Sequence, residues 1–182
     1  MDNGAQNYLR YKNGDDLGFY EIVREYYDGL TMYINGIVGD YCRAEELADD
    51  TLLKLAVKRP NYNGRSSFKT WLYSIGRNVA LDGMRKKAHA DAVSLEEAAA
   101  EAQSAESDYL KTERNVQLYK ALEQLKPDYR EVLYLSYFEN MKTEQICDVM
   151  KKSKSNVYTL ISRAQNALKE ILVKEGFVYE NV

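Results

Sequence analysis

One histidine and two cysteines in 182 residues leave little for metal or redox chemistry. Cys42 and Cys147 lie far apart in no CxxC spacing, and His89 stands beside Lys86 and Lys87 at an expected helix end. Neither a disulfide framework nor a zinc cluster can be built from that inventory. The two thiols are expected to be reduced, half-buried and inert in a cytoplasmic setting. Proline is as scarce, with two residues, and there are ten glycines. Long periodic stretches with so few breakers predict an all-α protein. No apolar run approaches the length of a membrane span, and the segment MDNGAQNYLRYK has no apolar signal core. No nucleophile–base pair and no phosphate-cradling glycine loop is found. An enzyme, a cofactor, a metal site and a small-molecule substrate are therefore not expected.

What the chain does have is an uneven charge. The net charge is −3. Residues 58–87 nevertheless hold eight Lys/Arg against one acid, Asp82. Residues 1–57 carry a net −6 and residues 88–113 another −6. The basic segment includes GRSSFKTWLYSIGRNVALDGMRKK, with the only Trp. Phosphates attract such a patch, and exposed rings can stack on unpaired bases. A charge run alone reads equally as a solvated helix face.

Apolar periodicity divides the chain into two modules. Phe19, Val23, Tyr26, Leu30, Tyr33, Ile34 and Ile37 recur at helical steps and predict a helix over about 15–38. Gly39 breaks it, and Asp40 can cap a second helix over about 42–58, with Ala44, Leu47, Ala48, Thr51 and Leu55 inward. Glu45, Glu46, Asp49 and Asp50 lie on its outer face. Pro60 ends it, a turn-rich loop spans 61–67, and Ser66 or Ser67 can cap a third helix burying Phe68, Leu72, Ile75 and Val79. Asp82 is expected to pair with Arg85 or Asn78. The first module spans 1–87, and residues 88–110, small and acidic, read as a flexible linker. The second module spans 111–182. Val116, Tyr119, Leu122 and Leu125 form a stripe, YREVLYLSYFEN reads as one well-buried helix, and a short helix from Thr143 turns at 151–153 into a longer one over about 154–174. That spacing fits a helix-turn-helix, whose second helix enters the major groove. It also fits an ordinary helical hairpin.

Two long segments carry a resemblance. AEELADDTLLKL with SFKTWLYSIGRNVALDGMRKK resembles the second conserved region of bacterial RNA polymerase sigma factors of the extracytoplasmic-function group, in the sigma-70 family. LKPDYREVLYLSYFENMKTEQICDVMKKSKSNVYTLISRAQNALKEIL resembles their fourth region. The resemblance implies that Glu45, Glu46, Asp49, Asp50 and Leu53 dock on core polymerase. It implies that Asn61, Tyr62, Asn63, Gly64, Arg65 and Ser66 capture a flipped base of the promoter −10 element. Lys69, Trp71, Arg77, Asn78, Arg85 and Lys86 would face the separating strands. Trp71 reads equally as core. Lys154, Ser155, Asn156, Tyr158, Thr159, Ser162 and Arg163 would read the −35 element. Lys151 and Lys152 stand where the family usually has Gly and an apolar residue, and Tyr158 and Leu160 where it often has Lys and Arg. The implied partners are core RNA polymerase, promoter DNA and an anti-sigma factor. Two modules on a flexible linker would sample many arrangements, and the isolated chain would bind duplex promoter poorly. The alternative is a stand-alone helix-turn-helix regulator using residues 143–172 alone.

Overall fold

The computed structural model describes residues 2–93 and 113–176. Among the described residues eight α-helices succeed one another: α1 (Asn3–Lys12), α2 (Asp16–Val38), α3 (Tyr41–Lys58), α4 (Phe68–Val93), α5 (Glu113–Glu123), α6 (Pro127–Leu133), α7 (Thr143–Met150) and α8 (Lys154–Lys174). A π-helical turn, Tyr134–Phe138, continues α6. No strand occurs among the described residues.

The helix ends obey local chemistry. Asp15 caps α2 by accepting from the Leu17 amide at 3.1 Å, and Asp40 caps α3 by accepting from the Arg43 amide at 3.0 Å. Ser67 Oγ accepts from the Thr70 amide at 3.2 Å at the start of α4, and Ser153 Oγ from the Asn156 amide at 3.3 Å at the start of α8. Each satisfies an amide that the first helical turn leaves without a partner.

Helices α1–α4 form the first module around Ile22, Leu30, Ile34, Leu47, Leu55, Phe68 and Leu72, all buried. Three details differ from the sequence reading. Residues 3–12 form α1, which packs along α2. Its spacing of Ala5, Tyr8 and Tyr11 is helical, but polar neighbours hide it. Helix α4 runs beyond Lys87 to Val93, because the Ala-rich stretch after the basic run has high helix propensity. Cys42 is exposed rather than half-buried, since Ala44 takes the inward position.

In the second module α5–α8 bury Leu122, Leu125, Val132, Leu133, Ile146, Val149, Val157 and Ala164. The expected single helix over 129–140 instead passes into the π turn, where the Glu139 amide donates to the Tyr134 carbonyl at 3.1 Å. A π turn inserts one extra residue and rotates the chain beyond it. Here it carries Glu139 toward α4. The expected flexible linker covers residues 88–110. Helix α4 takes up its first part, and residues 94–112 lie outside the described residues, as does the side chain of Val116.

The modules do not stand apart. Helices α6 and α7 lie against α2 and α4, and buried side chains of both modules form one continuous apolar cluster. Tyr33 of α2 meets Tyr73 of α4 at 5.2 Å and Tyr134 at 6.1 Å between ring centroids. Freely sampled arrangements are therefore not what this fold shows. Large tyrosine rings supply apolar area on both modules, and their hydroxyls find partners across the join.

Candidate nucleic-acid interface

Three surfaces carry the residues singled out by sequence. On α3, Glu46, Asp49, Asp50 and Leu53 are exposed and Glu45 is half-buried. Leu53 is 58% exposed amid acids, an apolar side chain with no internal role. Glu46 is paired with Arg43 of its own helix.

The second surface is the loop before α4. Asn61, Asn63, Gly64 and Arg65 are exposed, while Tyr62 and Ser66 are half-buried. The loop is internally tied. The Tyr62 hydroxyl donates to the Ser66 carbonyl at 2.5 Å, Asn63 Oδ1 accepts from the Arg65 amide at 3.1 Å, and Gly64 takes φ 71°. That backbone region suits glycine and strains other residues. Polar side chains and a guanidinium thus point outward from a fixed frame. Trp71 lies behind it, half-buried, with its ring 5.2 Å from Tyr62, 5.4 Å from Tyr8 and 5.5 Å from Phe68. Its place is under the loop, within an aromatic cluster.

Along α4 the basic residues divide. Arg85 and Lys86 are exposed, and Asp82 Oδ1 accepts from Arg85 Nη1 at 2.9 Å, as expected. With Arg43 and Lys54 of α3 they line a shallow cleft between the two helices. Lys69, Arg77 and Asn78 are engaged by the second module. Lys69 Nζ donates to the Glu139 carbonyl at 3.0 Å and lies 2.5 Å from its carboxylate. Arg77 Nε donates to Glu131 Oε1 at 2.6 Å, and Tyr33 Oη donates to the same oxygen at 2.8 Å. Asn78 Oδ1 accepts from Lys151 Nζ at 3.4 Å. Gln145 of α7 donates to Ser67 Oγ and Thr70 Oγ1, both at 3.1 Å. Burial, with the adjacent Glu131 carboxylate, pushes the Tyr33 hydroxyl well above its ordinary pKa. Sequence reasoning did not find Glu131, Glu139 or Gln145. Glu131 and Glu139 are the two acids of the largely apolar run YREVLYLSYFEN, and Gln145 follows it with no local signal.

The third surface is the first half of α8. Lys154, Ser155, Asn156, Tyr158, Thr159, Ser162 and Arg163 are all exposed, while Val157 and Ala164 are buried against α7 and α6. Every residue of the expected set is therefore on the solvent side of α8, away from the buried Val157 and Ala164. Lys154 Nζ donates to Glu144 Oε1 at 2.6 Å, and that hydrogen bond holds the Glu144 carboxyl below its usual value. In the turn, Lys151 takes the left-handed conformation with φ 53°, and Lys152 pairs with Asp128 at 2.9 Å. A lysine fills the position where glycine is easiest, at a cost of about 1–2 kcal/mol. Both lysines hold contacts outside the turn.

Among the described residues no cluster of His, Cys, Asp and Glu could hold a metal, and no helix is long and apolar enough to cross a membrane.

Two family models match the chain, one in each module. Residues 22–90 match the family model of sigma-70 region 2, and residues 115–168 that of sigma-70 region 4. The chain is 28% identical to RNA polymerase sigma factor CarQ of Myxococcus xanthus, over 90% of this chain and 94% of that protein. It is 25% identical to the ECF RNA polymerase sigma factor SigW of Bacillus subtilis, over 88% of this chain and 92% of that one. Its fold is similar to that of the sigma factor RpoE solved with the anti-sigma factor NepR from Bartonella quintana, with TM-score 0.66 and 27% identity, covering 85% of this chain and 96% of that chain. CnrH, solved with the cytosolic domain of CnrY, shares the fold with TM-score 0.69 at 18% identity, covering 95% of this chain and 99% of that chain.

Proposed function

The chain belongs to the sigma-70 family, in its extracytoplasmic-function group, and we propose that it binds core RNA polymerase, recognises promoter −10 and −35 elements and directs transcription initiation. The observation that carries this most is the loop 61–67. Its polar groups are exposed on a tied frame, backed by Trp71 and leading into the basic helix α4. A base leaving the stack costs a few kcal/mol, and a preformed pocket with a positive flank offsets that cost. The exposed face of α8 is suited to the major groove, with Asn156 suited to adenine and Arg163 to guanine or phosphate. Asp49, Asp50 and Leu53 on α3 supply a mixed acidic and apolar docking face. The protein works in the cytoplasm and carries out no covalent chemistry itself.

In the arrangement seen, Arg77 cannot serve a DNA strand while Glu131 holds it. The free protein is a closed form, and polymerase separates the modules to set the spacing of the two promoter elements. An anti-sigma partner, of the class solved with RpoE, would act by holding the modules closed or by covering α3 and α8. Run-off transcription with purified core polymerase tests the function. Promoter-specific transcripts are expected only when the chain is added. A chain that instead binds duplex promoter tightly without polymerase, and yields no transcript, is a stand-alone regulator.

A further inference from the structure

Asp2 caps two helices with one carboxylate. Its Oδ1 accepts from the Ala5 amide of α1 at 2.8 Å. Its Oδ2 accepts from the Phe68 amide, the first residue of α4, also at 2.8 Å. At the opposite end of the loop the Tyr8 hydroxyl donates to the Pro60 carbonyl at 2.7 Å. The loop 61–67 is therefore fastened just before its first residue and just after its last, both times from α1 and its cap. The Tyr8 ring is 2% exposed and packs on Phe68 and Trp71, the floor beneath the loop. One turn along, the Tyr11 hydroxyl donates to the Ala56 carbonyl at 3.0 Å, near the end of α3. Gly4 permits this approach. A Cβ there would stand 2.5 Å from Phe68 Cδ1 and 2.6 Å from the Tyr26 hydroxyl.

We infer that α1 is a brace for the base-capturing loop, with Asp2 and Tyr8 as positioning residues that act through the loop on capture of an unpaired −10 base. The inference rests on the function proposed above. Ordering a loop is costly in entropy for every residue fixed. A loop held in shape before its ligand arrives does not draw that cost from binding. The internal ties of the loop, Tyr62 to Ser66 and Asn63 to Arg65, do not fix where the whole frame sits relative to α4. The two contacts from α1 do. They set the start of α4, whose Trp71 closes the floor. Tyr8 lies beneath the loop, 2% exposed, and both Asp2 carboxylate oxygens are taken by backbone amides beside it.

Two substitutions separate bracing from general stability. Asp2→Asn keeps one carbonyl oxygen, enough to cap α1 about as well as aspartate does. Its amide nitrogen is a donor and cannot accept from Phe68 as well. Tyr8→Phe keeps the ring on Trp71 and removes only the hydroxyl. Holoenzyme is assembled from the full chain and core polymerase. Its affinity for a single-stranded −10 oligonucleotide is measured beside its affinity for a −35 duplex. Each variant should weaken −10 strand capture about fivefold, the effect of losing one ordinary hydrogen bond. Polymerase affinity and −35 binding should not change. In the free chain, tryptic cleavage after the exposed Arg65 should quicken selectively in both variants. Unchanged strand capture with unchanged Arg65 cleavage would overturn the inference. So would equal losses on both DNA elements with faster cleavage everywhere, the mark of general destabilisation. If wild-type holoenzyme captures no −10 strand, the proposed function fails, while Arg65 cleavage still decides whether α1 holds the loop.

Discussion

Arg77 of α4 and Glu131 of α6 form an ion pair with an Nε to Oε1 distance of 2.6 Å, and their side chains are 13% and 5% exposed. The pair joins the two modules, and Tyr33 of α2 donates to the same carboxylate. Removing one member of a buried pair leaves the other uncompensated, at about 3–5 kcal/mol. Separation of the modules returns Arg77 to water, so the cost falls on the closed arrangement alone. Glu131→Gln keeps acceptor and donor atoms but removes the charge, and should cost the closed form about 1–3 kcal/mol. Small-angle scattering on the free protein should show a larger radius of gyration, and weak binding to a −10 oligonucleotide should strengthen. An unchanged radius would show that this pair does not hold the modules together.

Reversing Asp49 and Asp50 to Lys tests the docking face. Both are exposed on α3, and Asp49 alone of the two has a partner on another helix, the Tyr27 hydroxyl of α2, so folding should change by about 0.5 kcal/mol at Asp50 and by about 1 kcal/mol at Asp49. Core-polymerase affinity should fall, and the helical circular dichroism should stay as it is. Unchanged affinity in a pull-down would remove this face from the interface.

Asn156→Ala and Arg163→Ala test the reading face of α8. A side chain that reads a base should cost about 1–3 kcal/mol on removal and relax the preference at one position. A side chain that holds a phosphate should weaken every sequence alike on removal. Promoter binding by holoenzyme, measured across −35 variants at fixed salt, distinguishes the two. If neither substitution alters affinity or choice, the reading face lies elsewhere.

Tyrosine makes the fold sensitive to alkali. Burial pushes the Tyr8 hydroxyl up to about 12, and raises those of Tyr26, Tyr33 and Tyr73 as well. In the unfolded chain these groups ionise near 10. Below that pH both states are protonated and the stability is fully present. As pH rises toward the folded-state values, the unfolded state loses protons first. Each such group then lowers stability by up to about 1.4 kcal/mol per pH unit. Tyrosinate absorbance should therefore rise in two stages, exposed rings first and buried rings in one cooperative step with unfolding. A single smooth titration would contradict the burial of these hydroxyls.

Sequence periodicity revealed α2, α3, α7 and α8 to within a residue or two, because long amphipathic repeats and Asp or Ser caps are local signals. Asp15, Asp40 and Ser153 each cap the helix immediately after them. The face of α8 was legible for the same reason. The features that escaped were non-local. Asp2 capping Phe68 joins positions 66 residues apart, and Tyr33 with Glu131 joins positions 98 apart. No spacing rule connects such residues. Arg77 and Lys69 read as free cations on a basic helix because their carboxylate partners stand in another module. The π turn had no breaker to announce it, since Tyr134, Leu135 and Phe138 suit a helix equally well.

The most direct test of the central claim is promoter opening itself. A duplex promoter with a fluorescent base analogue in the −10 element is mixed with core polymerase, with and without the chain. Fluorescence should rise only when both proteins are present, and replacing Asn61, Asn63 and Arg65 by Ala should abolish the rise while leaving polymerase binding intact. No rise with the wild-type chain at any promoter, despite stable binding to core polymerase, would contradict the account.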